Sequence, residues 1–227
     1  HEAVVVITDP AGNASEPSDP IDFVVDLTPP EKPVIGEVED DVGPVVGPIN
    51  DGDTTDDALP VFRGENGTPG DTVELIIDDK VVGTAVVGAD GKWAVTPENP
   101  LAEGQHNAVV VITDPAGNAS EPSDPIGFIV DLTAPAKPVI GDVEDDVGPI
   151  TGPINNGDIT DDTQPVFSGG GAVPGETVEL IIDDEVVGTA IVGEDGNWEV
   201  TPEKPLPEGE HEAVVVITDP AGNASEP

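Results

Sequence analysis

An all-β chain of tandem sandwich domains is what this sequence predicts, and three observations carry the prediction. The first is a repeat. Residues 1–17 (His-Glu-Ala-Val-Val-Val-Ile-Thr-Asp-Pro-Ala-Gly-Asn-Ala-Ser-Glu-Pro) recur unchanged at 211–227 and, with Asn107 in place of Glu2, at 106–122, so that His1, His106 and His211 mark a period of 105 residues. The second is a succession of short Val- and Ile-rich runs separated by turn signals, with no stretch of helical period. The third is strict alternation over residues 72–77, where Val73, Leu75 and Ile77 share one face and Glu74 lies on the other.

The repeat divides the 227 residues into the closing strands of one unit (1–26), a complete unit (27–131) and a further unit (132–227) expected to lack its last strand. Each full unit falls within the usual size of one domain. Pro29, Pro30 and Pro33 make a stiff linker, because proline fixes its own φ and biases the residue before it toward extended geometry. Strands are then expected at 33–38, 59–63, 72–77, 81–87, 93–96, 108–113 and 126–130. A long acidic loop at 39–58 separates the first two. The turns are read from Pro69-Gly70, Asp78-Asp79, Asp90-Gly91 and Glu103-Gly104. Seven short strands in about 105 residues point to an immunoglobulin-like β-sandwich. No Cys is present to pin the sheets, so Trp93, Trp198, Phe62, Phe128 and Phe167 are expected to fill the cores. For the two Trp residues the alternative is ligand stacking. Alternating strand directions put the acidic loop and the Asp78-Asp79 turn at the exit pole, and the Asp90 turn and the 114–125 loop at the entry pole. Units can then stack end to end.

Composition narrows the partners. Six Lys and Arg face 48 Asp and Glu, a formal net charge of -42. Such a surface repels nucleic acid and anionic lipid and attracts cations. Acidic chains poor in aromatics can be disordered, but dense apolar runs between turns have no use in a solvated tail. No apolar run approaches the roughly 18 residues of a membrane-spanning helix, and His1 does not open a signal peptide. Direct membrane insertion is not expected.

The carboxylates are clustered. Glu37, Glu39, Asp40 and Asp41 precede Asp51, Asp53, Asp56 and Asp57 in the first unit. Asp142, Glu144, Asp145 and Asp146 precede Asp158, Asp161 and Asp162 in the next, where only Asp51 is neutralised, as Asn156. Gathering like charges in one loop is unfavourable unless cations lie among them. Ca2+ takes six to eight oxygens in irregular geometry. The plainer alternative is a solvated acidic loop. A second candidate lies between units, where Asp26 and Asp131 end their units beside the linker. Asp114 with Asn118, and Asp219 with Asn223, are expected to project toward those ends from the following unit. Asp9 and Asn13 occupy the same places in the leading stretch. Asp-Pro-Ala-Gly-Asn is also good turn chemistry, and both readings stand.

Other patterns carry less. A single His per unit makes a poor metal set, and no nucleophile elbow surrounds the serines. Paired carboxylates suit a glycosidase only in a cleft, usually with aromatic platforms, and aromatics are 3% of this chain. Asn13-Ala-Ser and Asn66-Gly-Thr match the glycosylation sequon, relevant only in a eukaryotic secretory pathway. No phosphate loop, zinc spacing or basic patch is present.

Five motifs in order complete the reading: Asp131-Leu-Thr-Ala-Pro-Ala-Lys-Pro, Val143-Glu-Asp-Asp-Val-Gly, Gly157-Asp-Ile-Thr-Asp-Asp-Thr-Gln-Pro-Val-Phe, Gly193-Glu-Asp-Gly-Asn-Trp and Thr218-Asp-Pro-Ala-Gly-Asn. Together they resemble the bacterial Ig-like repeats of giant secreted adhesins, the biofilm-associated (Bap-type) proteins and the extender regions of RTX adhesins. The resemblance covers the whole chain. It implies a calcium-stiffened sandwich, repeated many times, that projects an adhesive domain from the bacterial cell surface. It also implies type I secretion, with a signal outside this sequence. By position it implies calcium ligands at Asp40-Asp41, Asp145-Asp146, Asp26 and Asp131. The density of acid departs from the family pattern and would suit a saline habitat.

The expected function is therefore a non-enzymatic, extracellular spacer for cell adhesion and biofilm formation, its partners being neighbouring repeats and divalent cations. The competing reading is a glycan- or protein-binding module whose loops touch the ligand. The identity of the 9–20 and 114–125 loops favours the structural role. Residues 18–27 duplicate the strand expected to close a unit, so donor-strand contact between chains is a further expectation.

Overall fold

The computed structural model describes residues 1–227 and contains strands and turns but no helix. At the start β1 (Glu2–Ala3) pairs antiparallel with β2 (Ile21–Asp22). The complete unit comprises β3 (Glu37–Asp40), β4 (Gly47–Pro48), β5 (Thr54–Thr55), β6 (Val61–Gly64), β7 (Thr72–Ile77), β8 (Lys80–Val86), β9 (Trp93–Val95), β10 (Gly104–Thr113) and β11 (Ile126–Val130). Its two sheets have the orders β4-β3-β6-β9 and β5-β11-β10-β7-β8. The next unit repeats the plan with β12 (Asp142–Asp145), β13 (Gly152–Pro153), β14 (Val166–Gly170), β15 (Thr177–Ile182), β16 (Glu185–Ile191), β17 (Asn197–Val200) and β18 (Ala213–Thr218), in sheets β13-β12-β14-β17 and β16-β15-β18. The tandem β-sandwich is the predicted architecture.

Three details differ from the sequence reading. The strand expected at 108–113 begins at Gly104, opposite Val130, so the turn read at Glu103-Gly104 ends one residue earlier than expected. The first strand of the complete unit is β3, not 33–38. Pro33 has no N–H to give a ladder, and pairing with β6 begins only where Gly36 donates to the Arg63 carbonyl at 2.8 Å. The 39–58 stretch is not all loop. It adds β4 to the edge of one sheet, and β5 runs parallel to β11 in the other, Ile129 opposite Thr54 and Val130 opposite Thr55. At the position equivalent to β5, residues 159–160 form no ladder.

Alternation drives the packing. On β7, Val73, Leu75 and Ile77 point inward as predicted and are fully buried with Val38, Phe62, Val110, Phe128 and Val130. Burying each large aliphatic or aromatic side chain contributes about 1.5–3 kcal/mol. The Phe62 and Phe128 rings meet across the sheets at 6.1 Å. Trp93 and Trp198 are core residues, not ligand platforms. Each lies over a glycine, Gly64 or Gly169, where any Cβ would collide with the indole. The leading hairpin has the same register as its later copy and presents the equivalent face bare. Val5 is 65% exposed where Val110 is fully buried.

Antiparallel pairing of β3 with β6 and of β7 with β8 and β10 places the β3–β4 segment, the Asp78-Asp79 turn, the β9–β10 loop and the end of β11 at one pole. The incoming linker joins the opposite pole. Asp78 and Asp79 have φ of 51° and 63°, as do Asp183 and Asp184 at 53° and 65°. Two left-handed residues in succession make the tight hairpin turn whose twist matches the strands.

Candidate cation site at the unit junction

The exit pole gathers four carboxylates, Asp40, Asp41, Asp56 and Asp57, on two neighbouring backbone segments. Asp40, at the end of β3, accepts from the Val42 N–H through Oδ1 at 2.9 Å and from the Thr55 hydroxyl through Oδ2 at 2.5 Å. Thr55 Oγ1 in turn accepts from the Asp57 N–H at 3.0 Å. Asp57 is only 1% exposed; its Oδ1 takes the Leu59 N–H at 2.7 Å, and its Oδ2 is buried with no donor. Asp56 Oδ1 is likewise buried without a partner. Burial pushes the Asp57 carboxyl up, against the pull of the Leu59 and Asp41 N–H groups, and the charges of Asp40 and Asp41 add to the rise. Burial also pushes Asp56 up, followed by repulsion from Asp40, from Asp219 of the next unit and from Asp57.

The next unit closes over this pole. The Asp56 N–H donates to the Ala221 carbonyl at 3.0 Å, and the Asp56 side chain is wedged between Gly43 of its own unit and Gly222 of the following one. Asn223 Nδ2 donates to the Asp131 carbonyl at 2.9 Å, as Asn118 Nδ2 does to the Asp26 carbonyl at 3.2 Å one period earlier. The carboxylates of the Asp-Pro-Ala-Gly-Asn loops serve their own turns. Asp114 Oδ1 accepts from the N–H groups of Ala116 and Asn118, and its Oδ2 from Asn118 Nδ2 at 2.8 Å. The bonds from Asn118 hold its carboxyl below the ordinary range. Asp219 does the same with Ala221, Gly222 and Asn223. Turn chemistry and junction contact therefore coexist: Asp closes the loop and Asn reaches across.

The remaining residues fall into two groups. Asp53 and Asp158 cap their own turns, Asp53 Oδ2 accepting from Asn50 N and Nδ2, and Asp158 Oδ2 from Asn155 N and Nδ2. Both carboxyls are held low by those bonds. Asp26 and Asp131 direct Oδ1 to the N–H of Thr28 and Thr133, while their backbone carbonyls accept from Asn118 and Asn223 of the following unit. The second unit rebuilds the pole. Asp145 accepts from Val147 and from Thr160, Asp161 lies against Gly148, and Asp162 keeps a buried Oδ2 without a donor. Asp41 and Asp146 are exposed beside these sites.

Asp71 was not distinguishable by sequence. It follows the Pro69-Gly70 turn and looks like one more surface acid, yet it is 2% exposed and faces Asp114. Burial and the Asp114 charge push its carboxyl up, against a bond from Thr68. With Asp114 it lines a cleft under linker residues 28–34.

No three acidic or imidazole side chains converge closely enough to enclose an ion unaided. The chemistry of the donors nonetheless fits a hard divalent cation. Donor-free oxygens on Asp56 and Asp57 stand among like charges, and hard cations complete their shells with carbonyls and water. A buried polar oxygen without a partner is costly, and a proton or a cation can supply the partner.

Comparison with known proteins adds the following. A family model described as bacterial Ig-like domain matches residues 39–132 and 136–227. No curated protein matches the chain. Similar solved structures include the BSP domain of a biofilm associated protein, at 25% identity over 77% of this chain and 27% of that one, TM-score 0.27. A tetra-tandem repeat in the extending region of a large adhesion protein is 22% identical over 99% of this chain and 53% of that one, TM-score 0.31. Dimeric latent PorU from Porphyromonas gingivalis is 20% identical over 88% of this chain and 20% of that one, TM-score 0.30. The chain thus spans between about a fifth and about half of the length of these three.

Proposed function

The chain belongs to the bacterial Ig-like domain family, and from that premise we propose that it is an extender segment of a bacterial cell-surface adhesin, stiffened by Ca2+ at its unit junctions and serving adhesion and biofilm formation. The role is mechanical and extracellular. The observation that carries the proposal is the junction itself. Asp56, with a donor-free buried oxygen, is pressed against the Asp219–Asn223 loop of the next unit and bonded to it through the Ala221 carbonyl.

The residues that would hold the ion are Asp56 and Asp57, with Asp40, Asp41 and Asp219 supplying the surrounding negative potential. Asp56, Asp161 and the other repeat-related acids give each unit the same pole. A bound divalent cation would neutralise the repulsion among these carboxylates and across the junction to Asp219. The protein's own part is to fix the junction geometry. Thr55 locks Asp40 to Asp57, and Asn223 holds the end of β11. The bond between Lys32 and Asp124, at 2.7 Å, ties the linker to its unit, though as an exposed pair it contributes little. Ion binding confined to the folded, docked form adds stability by mass action.

Small-angle scattering tests this directly. At about 0.15 M NaCl, where the screening length is about 8 Å, addition of millimolar CaCl2 should lengthen and stiffen the particle, and chelator should reverse the change. Extra NaCl at matched ionic strength should not substitute. A profile indifferent to calcium removes the mechanism and leaves the family membership untouched.

A further inference from the structure

The three histidines of this chain occupy one repeated position, and in both folded units the ring is held between two acceptors. His106 Nδ1 lies 2.8 Å from Asp78 Oδ2, and its Nε2 lies 2.7 Å from the Ala102 carbonyl. One period later His211 Nδ1 lies 2.7 Å from Asp183 Oδ2 and its Nε2 lies 2.8 Å from the Pro207 carbonyl. A carboxylate and a carbonyl accept but cannot donate. A neutral imidazole has one N–H and can satisfy only one of them, leaving a lone pair facing an oxygen at hydrogen-bond distance. The imidazolium, with two N–H groups, satisfies both.

The same arrangement reaches the linker. Asp78 Oδ1 also accepts from the Asn107 N–H at 3.1 Å, so the hairpin turn, the start of β10 and the β9–β10 loop meet at one ring. The residue after Ala102 is Glu103, whose carboxylate accepts from the hydroxyl of linker residue Thr133 at 3.0 and 3.1 Å. We propose that the His–Asp–carbonyl arrangement is a proton-dependent latch on the exit pole: the doubly protonated ring holds the β9–β10 loop, and the loop holds the linker that leads to the next unit. This device is independent of the calcium reading, since none of its groups belongs to the acidic junction cluster.

The charged groups around the first latch are Asp78 and Lys80 from the β7–β8 hairpin and Glu103 from the loop, and Phe128 of β11 packs its ring 5.8 Å from the imidazole. Around the second, Asp183 is joined by Glu185 in the place of Lys80 and by the neighbouring Glu212. The electrostatics agree with the geometry. The Pro207 carbonyl and then the Asp183 bond push the His211 ring up from its ordinary value. Bonds from Glu212 and His211 hold the Asp183 carboxyl down. Burial works to raise Asp78, and the bonds from His106 and Asn107 outweigh it, leaving that carboxyl below the ordinary range as well. A raised His contributes stability that is fully present below its unfolded value of about 6.5 and disappears as pH climbs through its folded value. A depressed Asp contributes stability present above about 3.9 and lost as pH falls through its folded value. The hold of His211 on its own loop is therefore strongest in the mildly acidic range and weakens on the alkaline side.

Two measurements test the latch. Ring-nitrogen NMR of the 15N-labelled chain from about pH 5 to 9 should show His211 keeping both N–H protons beyond the ordinary value of about 6.5. Amide exchange at mildly acidic pH, corrected for its intrinsic rate, should be faster at 102–104 and at Thr133 in H106Q than in the unsubstituted chain, by about 2- to 12-fold if one net hydrogen bond is lost. Gln matches the reach of His but cannot donate in both directions. Unchanged exchange at Thr133 in H106Q, or a His211 ring that loses its proton at or below the ordinary value, overturns the proposal. The His211 reading needs no variant, so a misfolded H106Q does not shelter it.

Discussion

Asp57 shows how one side chain can be a liability in one ionic condition and an asset in another. Its Oδ1 is used by the Leu59 N–H, its Oδ2 has no donor, and Asp40 and Asp41 repel it. The substitution Asp57→Asn keeps an acceptor for Leu59 and removes one charge from the crowd. In chelator D57N should therefore melt higher than the parent chain, by about 4–8 °C if about 1 kcal/mol of repulsion is relieved in a domain of this size. In calcium the order should reverse, because the variant has lost a ligand. Calorimetry of both proteins in both buffers decides it, and a variant that gains from calcium as much as its parent does would acquit Asp57 of any role. The acid cluster was legible in the sequence, and its division was not. Asp53 and Asp57 stand four residues apart in one acidic run, yet the first caps an exposed turn and the second is buried. Asp71 looked ordinary for the same reason, since charge spacing says nothing about which carboxylate the fold will cover.

At the level of strands, what could be read depended on how local each element is. The alternation of β7 and the Asp78-Asp79 hairpin are written in adjacent residues, and they form as expected. Asp90-Gly91 makes its turn but closes no hairpin: it carries the chain from one sheet to the other, β8 pairing with β7 and β9 with β6. β5 could not be read, because two threonines become a strand only through a parallel partner more than seventy residues later in the chain. The close approach of Trp93 to Gly64 is nonlocal too, and it yields a sharp test. A methyl at Gly64 must displace the indole or the β6 backbone, so Gly64→Ala should cost about 1–3 kcal/mol, the usual range for forcing extra volume into a packed core. Gly169→Ala should do the same in the second unit against Trp198. Tryptophan fluorescence with denaturant would follow both, and an unshifted midpoint in either would mean that the indole has room to move.

Across the molecule, the two sandwiches touch through few groups, so small local energies control a large dimension. Each junction is bridged by one asparagine, Asn118 to the Asp26 carbonyl and Asn223 to the Asp131 carbonyl. A chain with a net charge of -42 has every electrostatic reason to hold its units apart. What opposes that repulsion at the junction between the two sandwiches is the Asn223 bridge, the bond from the Asp56 N–H to Ala221 and, in the proposed function, a cation. Asn223→Ala removes the one side-chain bond across the junction, worth about 0.5–1.5 kcal/mol, together with the bond to Asp219 inside its own loop, without touching either core. The docked population should then fall by about 2- to 12-fold relative to the undocked one. Single-molecule distance measurements between labels on the two units should report a broader distribution for N223A, partly narrowed by calcium, while the melting of each unit stays within about 0.5 kcal/mol of the parent. A distribution as narrow as that of the parent would show that the asparagine merely completes its own loop, and that stiffness, where it exists, comes from the ion and the Asp56 contact alone.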